Sequence, residues 1–200
     1  DANCEPRIEF SIGHDPSEGP KGSSDGTVGR TGATCAACGA GSSLSYVKEE
    51  GQEGRLGASL IAIVAEGDRK RNYLSPVEEQ SKTAQTIAPH DIPDVELSAH
   101  PQYMGTPRYG LTHLKDLFTP RQLTALSTFC YLIERVRERV RQDAVDAGLS
   151  DFEAGLEDLG NGAKAYADSV CLYLGLAVGR VADRSSSLCG WDSSRDSIRN

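Results

Sequence analysis

The feature that most constrains this fold is a complete helix start at residues 118–123, followed by a long run of regularly spaced apolar residues. Thr119 can cap the helix, Pro120 takes the first helical position, where its missing amide donor costs nothing, and Gln122 can reach back to the cap. The apolar spacing of three or four residues continues to Gly148, a typical C-terminal cap, and predicts one helix over residues 120–147. The apolar stripe consists of Leu123, Leu126, Phe129, Ile133, Val136 and Val140.

A second helix is predicted to start after Asn161 and to run to about Ser185. Two long helices in succession predict an antiparallel hairpin, although the connection at residues 148–160 is longer than the usual helix-helix loop of about 2–8 residues. The apolar stripe of the second helix consists of Tyr166, Val170, Tyr173, Leu174, Ala177 and Val181.

The first half of the chain favours short extended segments. Residues 8–12 alternate apolar and polar side chains as a strand does, and residues 45–48, 58–65 and 71–74 are three further extended candidates. The polar, glycine-bearing residues 66–69 suit a hairpin connection between the last two. We therefore expect a small antiparallel sheet in this half.

Prolines divide the two halves. Five of them, at positions 76, 89, 93, 101 and 107, remove amide donors and disfavour helix in the residues before them, so we expect a long surface connector. The predicted fold class is α+β: a small zinc-ribbon-like antiparallel sheet, a long Pro-rich connector and a two-helix hairpin. The predicted segments are a flexible Gly/Ser-rich stretch with one strand candidate (1–32), a half zinc ribbon and small β-sheet (33–75), the connector (76–117), the helical hairpin (118–188) and a tail (189–200).

One cysteine pair has a spacing with chemical meaning. Cys35-Ala36-Ala37-Cys38-Gly39 matches a zinc knuckle, in which a tight turn directs two thiolates at one metal ion. Structural zinc takes four ligands, and Cys4 and His14 are the upstream candidates to complete the site. A thioredoxin-like redox pair is the less favoured alternative, because the pair precedes strands rather than opening a helix. A chance pair of thiols stays open as well.

Composition excludes several classes of protein. The chain has 21 basic and 29 acidic residues, a net charge of −8, which argues against a freestanding nucleic-acid binder held by bulk electrostatics. The apolar runs are far shorter than the roughly 20 residues that cross a bilayer, so we expect no membrane span and a cytoplasmic protein. No phosphate-binding glycine motif or nucleophile elbow appears, and the four histidines are interpreted as exposed polar residues.

The arginines and cysteines of the predicted helices are expected to have structural roles. Residues 134–141 contain four arginines, which would suit a phosphate backbone, but the acidic residues between them favour a solvated, salt-bridged face with pairs such as Glu138 and Arg141. Cys130 and Cys171 lie among apolar residues and are expected to be small buried hydrophobes.

The order of these motifs resembles a known family, the adenine-specific DNA methyltransferases that contain a zinc ribbon. The resemblance spans about residues 26–200 and falls on the middle of such enzymes. The residues that carry it are Gly32-Ala33-Thr34-Cys35-Ala36-Ala37-Cys38-Gly39, Glu50-Gly51, Gly54-Arg55-Leu56-Gly57, Ile61-Ala62-Ile63-Val64-Ala65-Glu66-Gly67, Tyr109-Gly110, Leu117-Phe118-Thr119-Pro120-Arg121-Gln122-Leu123, Ala163-Lys164-Ala165-Tyr166-Ala167-Asp168, Ser186-Ser187-Leu188-Cys189 and Trp191.

The resemblance implies a parent enzyme that transfers a methyl group from S-adenosylmethionine to the N6 amine of adenine in DNA, in a restriction or phage-defence setting. It implies that the cofactor loop and the other cysteine pair of the ribbon lie upstream, and the Asp-Pro-Pro-Tyr catalytic motif downstream. On this interpretation the chain, which opens on Asp1 and closes on Asn200, is an internal segment with zinc ligands Cys35 and Cys38 and with no catalytic or cofactor-binding residue of its own.

Two other interpretations remain open from the residues. The chain can be a non-catalytic module whose zinc ribbon and helical hairpin bind DNA or protein. It can also be an inactive remnant of marginal stability, since one helix pair and a small sheet are joined by a long connector.

Overall fold

The computed structural model describes residues 8–13, 15, 17, 26–100, 102–192 and 194–199. Over these residues the chain is a mixed α+β protein with four α-helices and three two-stranded antiparallel sheets, which confirms the predicted α+β class. The small sheet expected in the first half is divided into two separate hairpins. Two compact units are present, and each is described by itself. The N-terminal unit comprises Asp1–Thr86 with Asp94–Asp116, and the C-terminal unit comprises Ile87–Pro93 with Leu117–Asn200.

The N-terminal unit begins with a hairpin and a helix. Strands β1 (Gly32–Thr34) and β2 (Gly41–Ser43) pair antiparallel, and helix α1 (Leu44–Gln52) follows directly. The strand predicted at residues 45–48 is therefore wrong. Ser43 explains the helix, because its Oγ accepts a hydrogen bond from the amide of Tyr46 (3.2 Å) and so caps the first turn.

The second hairpin of this unit matches the prediction. Strand β3 (Ile63–Glu66) pairs with β4 (Arg71–Leu74), and the predicted connection lies between them. Residues 58–62, which the sequence placed in the first strand, carry no regular structure. Residues 8–12 also form no strand, and the amide of Ile12 donates to Ser75 Oγ at 3.2 Å.

Much of the segment predicted as a connector has helical structure. Helix α2 (Glu78–Thr86) begins two residues after the first proline, and short 3-10 helices span Thr106–Tyr109 and Leu114–Leu117. A β-bridge also pairs Glu96 with His113. A proline at the start of a helix costs no hydrogen bond, because the amide it replaces would have no partner in the helix. The number of prolines therefore led us to predict too little regular structure in this segment.

In the C-terminal unit, helix α3 spans Pro120–Asp146, as the sequence predicted. The amide of Thr119 donates to Gln122 Oε1 at 2.8 Å, which is one half of the predicted capping box. In the other half, the amide of Gln122 would donate to the Thr119 hydroxyl. This interaction is the weaker one, because the hydroxyl is buried and has no partner in hydrogen-bond geometry. The helix ends at Asp146, and Gly148 closes it, because a φ of +95° lets the amides of Gly148 and Leu149 bond back to Val145 and Ala144.

Helix α4 (Ala163–Asp183) packs antiparallel against α3 and so forms the predicted hairpin. The direction follows from two contacts: Cys171 Sγ lies 3.7 Å from the carbonyl oxygen of Ile133, and Arg137 lies 3.3 Å from Asp168. Residues further along α3 therefore meet residues earlier in α4.

The side of α4 that packs on α3 differs from the predicted stripe. Ala163, Ala167 and Cys171 are buried, whereas Tyr166 and Tyr173 of the predicted stripe are exposed. Small side chains let the two helices approach closely, and the larger apolar residues are left outside. Within the described residues, the buried apolar side chains are Leu117, Ala144, Ala163, Ala165, Ala167 and Cys171.

The tail forms a third hairpin, which the sequence did not predict. Strands β5 (Gly190–Asp192) and β6 (Ser197–Arg199) pair antiparallel, and Trp191 lies opposite Ile198. Ser187 ties the preceding turn to the start of α3, because its amide and its hydroxyl both donate to the Leu117 carbonyl at 2.7 Å. No helix in the described part of the chain has the length and apolarity needed to cross a bilayer.

Candidate metal-binding knuckle

The β1–β2 hairpin presents Cys35 and Cys38 at its turn. The amide of Cys35 donates to the Ala40 carbonyl at 2.8 Å, and the amide of Gly39 donates back to the Cys35 carbonyl at 2.9 Å. Gly39 has a φ of +75°, a conformation that a residue with a Cβ rarely adopts. Both cysteine side chains are exposed and free of disulfide bonds. The fold therefore brings the two predicted ligands together on one tight turn.

The surroundings of the Cys35 thiol lower its pKa. A hydrogen bond from the amide of Cys38 lowers the pKa of the Cys35 thiol most, followed by one from the amide of Ala37 and by one from the Cys38 thiol. Amide donors favour the thiolate over the thiol, and the thiolate is the form that binds a metal ion. In a metal site, the same donors would orient the sulfur and delocalise its charge. The turn is thus shaped for a charged sulfur.

Ligands beyond these two are not found in the described residues, where no group of three or more His, Cys, Asp or Glu side chains is placed to hold a metal ion. The upstream candidates Cys4 and His14 lie outside the described residues. Structural zinc takes four ligands, and the described residues offer only the two cysteines of this turn as candidates.

A shallow groove lies beside the knuckle, lined by residues 26–29, 31–34 and 41–43. Its walls are backbone atoms and small side chains, and none of these lining residues carries a titratable side chain. The chemistry available at this end of the unit is consequently that of the two thiols.

Close backbone contact packs α1 against the 3-10 helix Thr106–Tyr109 and Gly110 in the N-terminal unit. The chain at Gly51, in α1, touches the backbone of Tyr109 and Gly110 so closely that a Cβ at either glycine would overlap a carbonyl oxygen. Gln52 Nε2 donates to the Arg108 carbonyl at 3.3 Å, and Lys48 Nζ lies 5.9 Å from the centre of the Tyr109 ring. Among its described residues, this unit buries no apolar side chain.

The arginine-rich part of α3 behaves as a salt-bridged face. Arg139 pairs with Asp143 at 2.9 Å, and Arg141 pairs with Glu138 at 2.7 Å, as predicted for the latter pair. Arg141 also contacts Asp151 in the interhelical connection. Two further arginines complete the run: Arg137 pairs with Asp168 at 3.3 Å, and Arg135 lies 5.7 Å from the centre of the Tyr131 ring.

Of the two helical cysteines, Cys171 is buried as predicted. Cys130 is exposed, so the burial predicted for it is wrong. The residues around the two cysteines are similarly apolar, but Cys171 lies on the side of α4 that faces Ile133 of α3, whereas Cys130 lies on an exposed side of α3.

His113 is a residue that the sequence did not single out. Its ring lies 3.8 Å from both Asp94 and Asp116, and Nδ1 is 3.0 Å from the Thr112 hydroxyl. Lys115 Nζ lies 2.7 Å from Asp94, and this hydrogen bond lowers the pKa of the Asp94 carboxyl. The cluster anchors residues 94–96 to the 3-10 helix Leu114–Leu117. The one sequence signal for this cluster is the spacing of three residues between His113 and Asp116.

Comparison of this chain with protein-family models, with curated protein sequences and with solved structures finds no match.

Proposed function

We propose that this chain is a metal-binding segment of a zinc-ribbon adenine-specific DNA methyltransferase, in which Cys35 and Cys38 form half of the zinc site. The observation that carries the proposal is the tight turn of the β1–β2 hairpin, closed by the bonds between Cys35, Gly39 and Ala40, which carries Cys35 and Cys38 with both side chains exposed. Two cysteines separated by two residues on one tight turn suit a metal-bound thiolate pair.

The described residues of the N-terminal unit bury no apolar side chain, which also supports a metal site. Small units with little core commonly depend on a metal ion or on disulfide bonds for stability. Zinc would supply that stabilisation by crosslinking the β1–β2 hairpin to the segment that carries the other two ligands. Cys35 and Cys38 would hold it as thiolates.

The segments that carry the family resemblance meet in space, which gives them a structural reason to occur together. Gly51, from one segment, contacts Tyr109 and Gly110, from another. Ser187 donates twice to Leu117, which opens a third segment. The first contact joins two of these segments within the N-terminal unit, and the second joins two within the C-terminal unit.

On this proposal the chain contributes a rigid platform and not the reacting groups. Methyl transfer to N6 of adenine requires the base to leave the duplex and to enter a pocket beside S-adenosylmethionine. The groups that bind the cofactor and hold the amine are assigned to other parts of the parent enzyme. We place the parent enzyme in the cytoplasm. We also propose that the knuckle and the α3–α4 hairpin contact the target DNA.

The test is methyl transfer by the protein encoded by the complete reading frame that carries this segment. With radiolabelled S-adenosylmethionine and adenine-containing duplex DNA, we expect label at N6 of adenine, and less label with a Cys35→Ser variant. Cys130→Ser is the matched control, because Cys130 is an exposed thiol outside the knuckle. Absence of transfer by the unaltered protein would remove the methyltransferase assignment.

A second candidate is a non-catalytic zinc-ribbon and helical module that binds protein or DNA. The specific observation in its favour is the large apolar surface left open on α4, where Tyr173 is 74% exposed. The two candidates differ in the same assay, since a module that retains zinc but transfers no methyl group belongs to the second class.

A further inference from the structure

Three consecutive basic residues lie at the tip of the β3–β4 hairpin. Arg69 and Lys70 belong to the turn, and Arg71 is the first residue of β4. The amide of Gly67 donates to the Lys70 carbonyl at 2.8 Å and so closes the turn. All three basic side chains are exposed, and in the described part of the chain none of them forms an ion pair with a carboxylate. We call Arg69, Lys70 and Arg71 the basic tip.

The basic tip differs from the longer run of arginines on α3. That run is neutralised by carboxylates of its own unit, as in the pair of Arg139 with Asp143. At the tip, Asp68 is adjacent in sequence and Glu66 lies opposite Arg71 in the sheet register, but within the described residues neither is at ion-pair distance from a tip cation. The three cations are therefore available to an external anion, although the net charge of the chain is −8.

Turn chemistry alone does not explain Arg69. Its φ is +58°, a left-handed conformation that favours Gly, Asn or Asp and is costly for a bulky side chain. A residue held in such a conformation suggests a role beyond the fold. The feature that arginine brings to this position is its charge.

The shape of the hairpin suits a groove of duplex DNA. Strands β3 and β4 form a sheet of two strands, and no other helix or strand of the described residues packs extensively against them. The major groove of B-DNA, about 12 Å wide, admits such a two-stranded ribbon, whereas the major groove of duplex RNA is too narrow. A membrane-binding surface would combine cations with apolar anchors, and residues 67–71 contain no apolar side chain larger than glycine.

We propose that the basic tip binds the phosphate backbone of duplex DNA, with the β3–β4 hairpin in the major groove. This inference rests on the proposed function for its partner, and it adds a contact surface that the knuckle and the α3–α4 hairpin do not supply. Arg69 and Arg71 donate to phosphate oxygens through their guanidinium groups, and Lys70 donates through its ammonium group. Contacts of this kind position a protein on the duplex and carry no sequence information.

The test is the salt dependence of duplex binding by the protein encoded by the complete reading frame, measured by fluorescence anisotropy. No chelator is added, so that the N-terminal unit keeps its proposed metal ion. Lys70→Gln should raise the dissociation constant by roughly 5-fold and reduce the slope of log K against log salt by about 1. Lys82→Gln is the matched control, because it removes the same charge from an exposed lysine of α2 in the same unit. The control should leave both values unchanged.

Arg69→Gly separates binding from folding. Glycine adopts a φ of this sign without strain, so the free energy of unfolding in urea should be unchanged or higher. The slope of the salt dependence should nevertheless fall by about 1, because one phosphate contact is lost. A purely structural role for Arg69 predicts no loss of DNA affinity in this variant. Lys70→Gln decides the matter if Arg69→Gly alters the turn.

The proposal is overturned if the unaltered protein does not bind the duplex, if both tip variants keep its slope, or if Lys82→Gln lowers the slope as much as Lys70→Gln. Tighter binding to an RNA duplex or to vesicles of anionic phospholipid than to DNA would also overturn it. Methyl transfer is scored separately. A protein that labels N6 of adenine while the tip variants keep their slope retains the proposed function and loses this inference. A protein that transfers no methyl group but loses slope in the tip variants has the opposite outcome.

Discussion

Gly51 and Gly110 are the residues at which the N-terminal unit accepts least change. The backbone of Gly51 lies against that of Tyr109 and Gly110, and Gly110 has a φ of +82°. Because apolar burial is absent from the described residues of this unit, the close contact carries much of its packing.

We predict that Gly51→Ala lowers the free energy of unfolding by about 1–3 kcal/mol, the usual cost of forcing an extra group into a packed contact. Urea denaturation followed by circular dichroism measures the change. Gly57→Ala is the control, since a Cβ at Gly57 meets no atom within 4 Å. Equal effects of the two substitutions would show that the contact is not rigid.

The Cys35 thiol provides a second prediction at this scale. Amide hydrogen bonds from Cys38 and Ala37 lower its pKa, so a larger fraction is thiolate at a given pH. In a Cys38→Ser variant both amide donors remain and Cys35 is the only thiol of its turn. We expect its alkylation by iodoacetamide to begin at lower pH in the folded protein than in urea, where the turn is lost. Coinciding pH profiles in the two conditions would contradict the assigned hydrogen bonds.

Among the elements, the long connection between α3 and α4 is ordered by contacts from both helices. Asp168 accepts from the amide of Leu156 at 3.1 Å and pairs with Arg137 at 3.3 Å. Lys164 Nζ donates to the Glu153 carbonyl at 2.7 Å, and Arg141 contacts Asp151. These contacts explain how a connection longer than usual still joins two packed antiparallel helices.

We predict that Asp168→Ala lowers the free energy of unfolding of the C-terminal unit by about 1–3 kcal/mol, because an amide and a guanidinium lose their acceptor. Hydrogen exchange should show the same loss locally, at residues 150–162. Asp143→Ala is the matched control: its pair with Arg139 is exposed on both sides and is worth roughly 0.5 kcal/mol or less. A similar loss in both variants would refute the special role of Asp168.

Sequence reasoning succeeded where a local pattern decides the structure. The start of α3 follows from Thr119, Pro120 and Gln122, whose effects act within one turn, and the turn of β3–β4 is equally local. It failed for α1, where the extended-looking residues 45–48 outweighed the capping residue Ser43. It also included Tyr166 and Tyr173 in the apolar stripe of α4, and both are exposed, because periodicity identifies an apolar face but cannot rank neighbouring faces when most of the helix is apolar.

The candidate site divides in the same way. The spacing of Cys35 and Cys38 predicted a shared turn, and the hairpin has that turn. The amides that face the Cys35 sulfur depend on the φ and ψ angles of the turn, which the spacing alone does not fix. The cluster around His113 joins residues 94–116 through a chain reversal, and no periodic pattern signals such a contact.

At the scale of the whole molecule, the two units differ in what stabilises them. All buried apolar side chains of the described residues belong to the C-terminal unit, whereas the N-terminal unit has polar pairs, backbone contact and the knuckle. A unit of the second kind is expected to depend for its stability on the zinc ion that we propose at the knuckle.

Removal of metal should therefore act on one unit only. We predict that a chelator exposes the N-terminal unit to limited proteolysis, with cuts near α1 and β3, while α3 and α4 stay protected. Mass spectrometry of the fragments locates the cuts. Protection of both units in the presence of chelator would mean that the N-terminal unit is stable without metal.

The central claim is that the Cys35 and Cys38 turn binds zinc, and the most direct measurement is the zinc content of the purified protein that carries this segment in its complete reading frame. We predict bound zinc in the unaltered protein and in the Cys130→Ser control, and a clear loss in Cys35→Ser and Cys38→Ser. Equal zinc in all four proteins would contradict the account.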